Sequence, residues 1–251
     1  MKRILETIQL TVAVAAMVAL TITPARSQVN IQLGGGIGVA IPSSDYSGST
    51  QDYYSGSRYG FGNGLNLHGK AKIGWSAWNF VGEIDYSSFH NTGYSEPVQG
   101  AVDISQHVFS VKVGPELSIG VLELPVTSYI GANLAMNRFS GETAFQGVSK
   151  VPSGTYSMKG TTRFGVGISA GTEATFGPFL SLDFNVSYNV MNAFGKEWVD
   201  ANPAASQRLD SYLFLNDASD PLHASGDDKH FISHERSISS IVFTVSILFG
   251  L

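Results

Sequence analysis

The stretch FGVGISAGTEATFGPFLSLDFNVSY, Phe164 to Tyr188, alternates on both sides of Gly177-Pro178. Phe164, Val166, Ile168, Ala170, Thr172, Ala174 and Phe176 hold the even positions, and Leu180, Leu182, Phe184, Val186 and Tyr188 continue them. Between them stand Gly165, Gly167, Ser169, Gly171, Glu173, Thr175, Ser181, Asp183, Asn185 and Ser187. Successive side chains of a strand point to opposite faces, so this spacing predicts a hairpin with one apolar and one polar face. A soluble sheet with one wet face and a membrane barrel with a polar interior both give that pattern. Composition favours the barrel: the polar face is Gly, Ser and Asn with isolated charges, and the whole chain is 14% charged, against about 25% in ordinary soluble domains.

The same alternation recurs outward from this hairpin. Strands are expected over Val29 to Ile41, Asn63 to Gly74, Asn79 to Phe89 and Val102 to Ile119, then from Val126 to about Asn137, and finally from Ser237 to Leu251. In the fourth, Val102 and Ile104 are out of phase with Phe109, Val111 and Val113, which predicts a bulge near Gln106. The connections 42 to 62, 90 to 101, 140 to 161 and 191 to 236 are long, while 75 to 78, 120 to 125 and 177 to 178 are short. Strict alternation of long and short connections is the habit of outer membrane barrels. The expectation is an all-β, transmembrane, antiparallel up-and-down barrel of eight strands, both termini at the short-turn end. Ten strands result if Ser211 to Leu215 add a hairpin.

Aromatic residues collect at both strand ends, as headgroup zones favour. Trp75, Trp78, Phe80, Phe176, Phe179 and Phe249 mark the short-turn end, and Phe89, Phe139, Phe164, Tyr188 and Phe194 the other. Ahead of the barrel lie Lys2 and Arg3, an apolar run from Ile8 to Ile22, and Pro24-Ala25-Arg26-Ser27. These read as a secretory signal peptide over residues 1–27, leaving a barrel domain over 28–251, because the run is shorter than the ~20 residues a spanning helix needs. The chain has no cysteine, so neither a disulfide nor a lipoprotein anchor is available, and its net charge of -5 argues against nucleic acid as a partner.

The Gly34-Gly35-Gly36-Ile37-Gly38 run, Val113-Gly114-Pro115-Glu116-Leu117 and the amphipathic final strand resemble the small eight-stranded outer membrane barrels of OmpA and OmpX type. The resemblance covers Gln28 to Leu251 and is architectural. It implies a bacterial outer membrane location, contact with outer membrane lipid and lipopolysaccharide, and recognition of the last strand by the barrel-assembly machinery. Two departures stand out: Phe249 is followed by Gly250 and Leu251 where an aromatic often ends such chains, and no periplasmic peptidoglycan-binding domain follows.

An eight-stranded barrel is filled by its own side chains, so its inward charges must pair. The expected lumen charge network is His68, Lys70, Lys72, Glu83, Asp85, Lys112, Glu116, Arg163, Glu173 and Asp183. Folding about Ser76-Ala77 sets Lys70 opposite Glu83 and His68 opposite Asp85. Glu173 and Asp183 meet across their hairpin, so Lys112 or Lys72 is expected to reach between them. The last long connection holds His223, His230 and His234 with Asp227 and Asp228; His230, His234 and Asp227 are weak zinc candidates, and no metal or other cofactor is assigned. Ser233, His234 and Glu235 invite a lipid-hydrolase reading, but adjacent strand residues face apart and cannot pair as nucleophile and base. Tyr46, Tyr53, Tyr54, Tyr59 and Tyr156, set among Ser and Gly in the long connections, have the composition of an adaptable recognition surface for an extracellular ligand. The functional expectation is a non-enzymatic outer membrane barrel with a structural, adhesion or surface-binding role. A small channel is the alternative, and a barrel-embedded lipid hydrolase a weaker one.

Overall fold

The computed structural model describes residues 29–96, 99–120, 125–199, 210–220 and 234–251. The signal-peptide reading and residues His223, Asp227, Asp228, His230 and Ser233 lie outside them. Eight antiparallel strands pair in chain order and close on themselves: β1 (Asn30–Ser43), β2 (Gly64–Trp75), β3 (Trp78–Glu96), β4 (Gln99–Gly120), β5 (Val126–Gln146), β6 (Gly154–Phe176), β7 (Leu180–Phe194) and β8 (Ser239–Gly250). The ten-strand alternative is overturned, because β8 pairs directly with both β7 and β1. Residues 210–213 form a short helix rather than a strand.

Closure depends on side-chain-free positions at the β1–β8 seam. A Cβ at Gly34 would lie 1.9 Å from the Ile247 carbonyl oxygen, so only glycine lets the first and last strands approach there. Following paired residues around the wall from Leu33 returns to β1 at Ser43, ten residues farther up. A stagger of that size in eight strands tilts them by roughly 40°.

The even face of the opening hairpin points outward. Ile168, Phe184 and Val186 are exposed with Ile37, Leu65, Ile84, Ile130, Leu134 and Phe243 on the other strands. A continuous apolar exterior around a closed barrel is a lipid-facing surface, since the ring of ladders from β1 to β8 leaves no open sheet edge along the apolar band. At the short-turn end Trp75, Trp78, Phe80, Phe176, Phe179 and Phe249 are all exposed, as a girdle requires. At the loop end Phe164, Tyr188 and Phe194 face out, but Phe89 and Phe139 are 0% exposed. Their positions are in phase with the inward-facing residues of β3 and β5, so they leave the girdle and join the interior.

Two of the long connections are mostly strand. β3 and β4 continue until only residues 97–98 separate them, and β5 and β6 extend to a turn over 147–153. The expected bulge near Gln106 is absent: β4 pairs without a shift past Gln106 with both neighbours. Instead the inward face changes chemistry. Ser110, Lys112 and Glu116 face the lumen in the lower part of β4, and Val102, Ile104 and Val108 face it above. A bulge does occur in the pairing of β5 with β6, between Phe139 and Gly141.

Candidate functional site: the two-storey lumen

The lower storey is ionic. Lys70, on β2, faces Glu83 in register, yet its Nζ lies 4.0 Å from that carboxylate and only 3.0 Å from Asp183 Oδ2 and 3.5 Å from Glu116 Oε2. Lys72 Nζ meets Glu116 Oε1 at 2.6 Å and Glu173 Oε2 at 3.1 Å. Glu173 and Asp183 are cross-strand neighbours, and each is held by its own lysine. Lys112 takes no part in separating them, because its Nζ is spent 3.2 Å from Asp85 Oδ2. His68, opposite Asp85, shares a 2.7 Å hydrogen bond between its Nε2 and Ser246 Oγ.

Tyr129, which no charge pattern singled out, is the hub of this storey. Its hydroxyl donates to Asp183 Oδ1 at 2.7 Å and accepts from Asn185 Nδ2 at 2.8 Å, and Lys70 Nζ sits 4.6 Å from its ring centroid. Gly171 makes room for it: a Cβ there would fall 2.3 Å from the Tyr129 hydroxyl. Gln32 donates to Glu173 Oε1 at 2.6 Å and Asn79 to Glu116 Oε1 at 3.1 Å. Below them a vestibule of about 260 Å³ opens at the short-turn end, lined by Gln32, Lys72, Asn79, Ser118, Thr127 and Glu173 among others.

The upper storey is aromatic, and the connections supply it. The β1–β2 connection makes a 3-10 turn (Ser44–Tyr46) and helix α1 (Thr50–Ser55). Ser49 caps α1 by accepting from the Asp52 amide, while the Asp52 carboxylate accepts from the Ser49 amide. That bond and the Ser49 hydroxyl hold the Asp52 carboxyl below its ordinary value. Tyr46, Tyr53, Tyr54 and Tyr59 are all buried, so the recognition surface expected from them is corrected to core. Tyr46 packs on Tyr59, Phe61 and Phe89 and donates to Gln106 Oε1 at 2.7 Å. Tyr53 bonds Thr143 Oγ1 at 2.8 Å, and burial pushes its hydroxyl up to about 12. Burial likewise raises Tyr46, and raises Tyr59 further than Tyr53.

Arg163 points inward, but into this upper storey and away from the lysines. It grips the fully buried Asp217 with Nε at 3.0 Å and the terminal nitrogen at 2.8 Å. Asn192 adds a 2.9 Å bond to the same carboxylate. Arg236 donates to the carbonyls of Leu215 and Asn216 and stacks 3.8 Å from the Tyr59 ring centroid. Arg163 of the wall and Arg236, just ahead of β8, thus hold residues 215–217 of the β7–β8 connection in the mouth, beside helix α2 (Asp210–Leu213). Asp217, Asn192 and Arg236 escaped the sequence reading, because a lone acid in a polar connection carries no periodic signal. Among the described residues, no cluster of three or more His, Asp or Glu side chains is arranged to hold a metal. His234 lies with its Nε2 3.2 Å from the Ser57 carbonyl, and Glu235 pairs with Lys196 at 2.6 Å.

No protein-family model and no curated protein matches the chain. Among solved structures it is similar to Neisserial surface protein A, at 14% identity over 87% of this chain and 96% of that one, with a TM-score of 0.49. It is also similar to Ail, the attachment invasion locus protein of Yersinia pestis, at 11% identity over 89% and 99% with a TM-score of 0.44. The outer membrane protein OprG of Pseudomonas aeruginosa matches at 9% identity over 90% and 97%, with a TM-score of 0.41. The barrel itself rests on strand pairing and on the apolar exterior.

Proposed function

We propose that this chain is a non-conducting, non-enzymatic barrel of the bacterial outer membrane, exported by its amino-terminal segment, with a structural, adhesion or surface-binding role at the loop end. The observation that carries this reading is the double filling of the lumen. Lys70, Lys72, Glu116 and Asp183 pack beneath a plug of Tyr46, Tyr53, Phe89 and Phe139, and all eight are buried. A channel needs a wet path between such storeys, and a hydrolase needs a nucleophile within reach of a base. The proposed partners are outer membrane lipid and lipopolysaccharide around the wall, an extracellular ligand at the loop end, and the barrel-assembly machinery at β8. Electrophoresis with and without boiling tests the barrel, which is expected to shift with heat. In planar bilayers the refolded protein is expected to give no discrete current steps; stable single-channel openings would overturn the non-conducting reading in favour of a small channel.

A further inference from the structure

Outward-facing residues follow one order on two neighbouring strands. Climbing β4 toward the loop end, Phe109 is followed by His107, Ser105 and Asp103; climbing β5, Met136 is followed by Arg138, Ser140 and Glu142. On each strand the basic residue stands first above the apolar band, and the acid stands about 13 Å farther along. The third neighbour, β3, contributes His90, which faces Ser105 in register, while His107 faces Ser140. Because the register climbs around the wall, a level line descends by a little over one residue per strand. His90, His107 and Arg138 therefore lie within about one residue step of a common height, an arc just above the aromatic edge.

The arc is poised rather than satisfied. Arg138 is exposed, and among the described residues it has no hydrogen-bond or ion-pair partner. Its guanidinium extends over Gly160, where a Cβ would come within 3.4 Å of a terminal nitrogen. The His107 ring lies flat on Tyr86, centroids 5.6 Å apart at 13°, with its Nδ1 unpartnered. Only His90 has an acid close by, Asp103 Oδ1 at 3.6 Å. Among the described residues, neither the apolar band nor the short-turn end has an outward-facing charged side chain, so the basic arc serves one leaflet.

We propose that this arc binds the phosphate groups of a phosphorylated glycolipid in the leaflet at the loop end, which rests on the outer membrane reading above. Guanidinium pairs with phosphate through two parallel hydrogen bonds, and a cation at headgroup height is attracted by an anionic leaflet. The Glu142 carboxylate stands about 13 Å along the strand from Arg138, where its repulsion of phosphate is screened. Asp103 lies against His90, so the phosphate contact falls chiefly on Arg138 and His107. Titrating purified lipopolysaccharide into the detergent-refolded protein, with native mass spectrometry as readout, tests the arc. Arg138→Ala is expected to bind about fivefold more weakly, and Arg138→Ala with His107→Ala more weakly still. Glycolipid stripped of phosphate is expected to bind wild type no better than it binds the double variant, and Arg58→Ala to behave as wild type. Equal binding by wild type and the double variant, or indifference to lipid phosphorylation, would overturn the proposal. So would full displacement by millimolar inorganic phosphate, which would mark a free-ion site. Heat-modifiable mobility of every sample is read alongside, so failure of the barrel is distinguished from failure of the arc.

Discussion

Lys70 shows what a single side chain does in this lumen. It sits among Asp183, Glu116 and Glu83, none more than 4.0 Å from its ammonium. Removing one member of a buried ionic set leaves the others uncompensated, at a cost of about 3–5 kcal/mol. Lys70→Met is therefore expected to lower stability by that order in urea unfolding of the refolded barrel, and adding Asp183→Asn to recover part of the loss. A double variant as unstable as the sum of the single changes would show that the contact is not coupled. Sequence periodicity places Lys70 and Asp183 on inward faces but does not pair them. They lie on β2 and β7, which share no ladder, so their contact depends on the diameter and stagger of the closed barrel rather than on any local spacing.

At the scale of elements, the informative event is the change of chemistry along one unbroken face. β4 keeps the same residues inward from Val102 to Glu116 while its lining passes from aliphatic to charged. Read as periodicity alone, that passage imitates a bulge, because apolar residues swap parity where the strand leaves lipid. The tyrosines of the β1–β2 connection mislead for a related reason: Tyr among Ser and Gly describes a solvated loop and a folded plug equally well. Their burial has a pH consequence. The Tyr53 hydroxyl, ordinarily near 10.0, is raised to about 12, so between those values the unfolded connection releases its proton before the folded one does. Stability from the buried hydroxyl is complete below pH 10 and falls as pH rises toward 12. Limited proteolysis of the connections is expected to accelerate in that window, with part of the tyrosinate absorbance appearing late. Development of all tyrosinate absorbance in one step near pH 10 would contradict a buried plug.

At the scale of the whole molecule, closure, strand number and the outward apolar face were legible from alternation and from the rhythm of long and short connections. The division of the lumen was not, because it is assembled from segments as distant as Tyr59 and Arg236. The face change on β4 also sets a length. From Ile119 up to Phe109 every outward residue is uncharged; at the tilt that the stagger imposes, this run spans about 25 Å along the barrel axis. Neither boundary can slide, since Asp103 and Glu142 stand beyond one edge and the tryptophans of the β2–β3 turn anchor the other. The protein is thus a gauge of membrane thickness: a thicker bilayer must thin around it or leave apolar chains facing polar wall. Spontaneous refolding into vesicles of graded acyl length should peak where the hydrocarbon layer matches this span and fall as the chains lengthen.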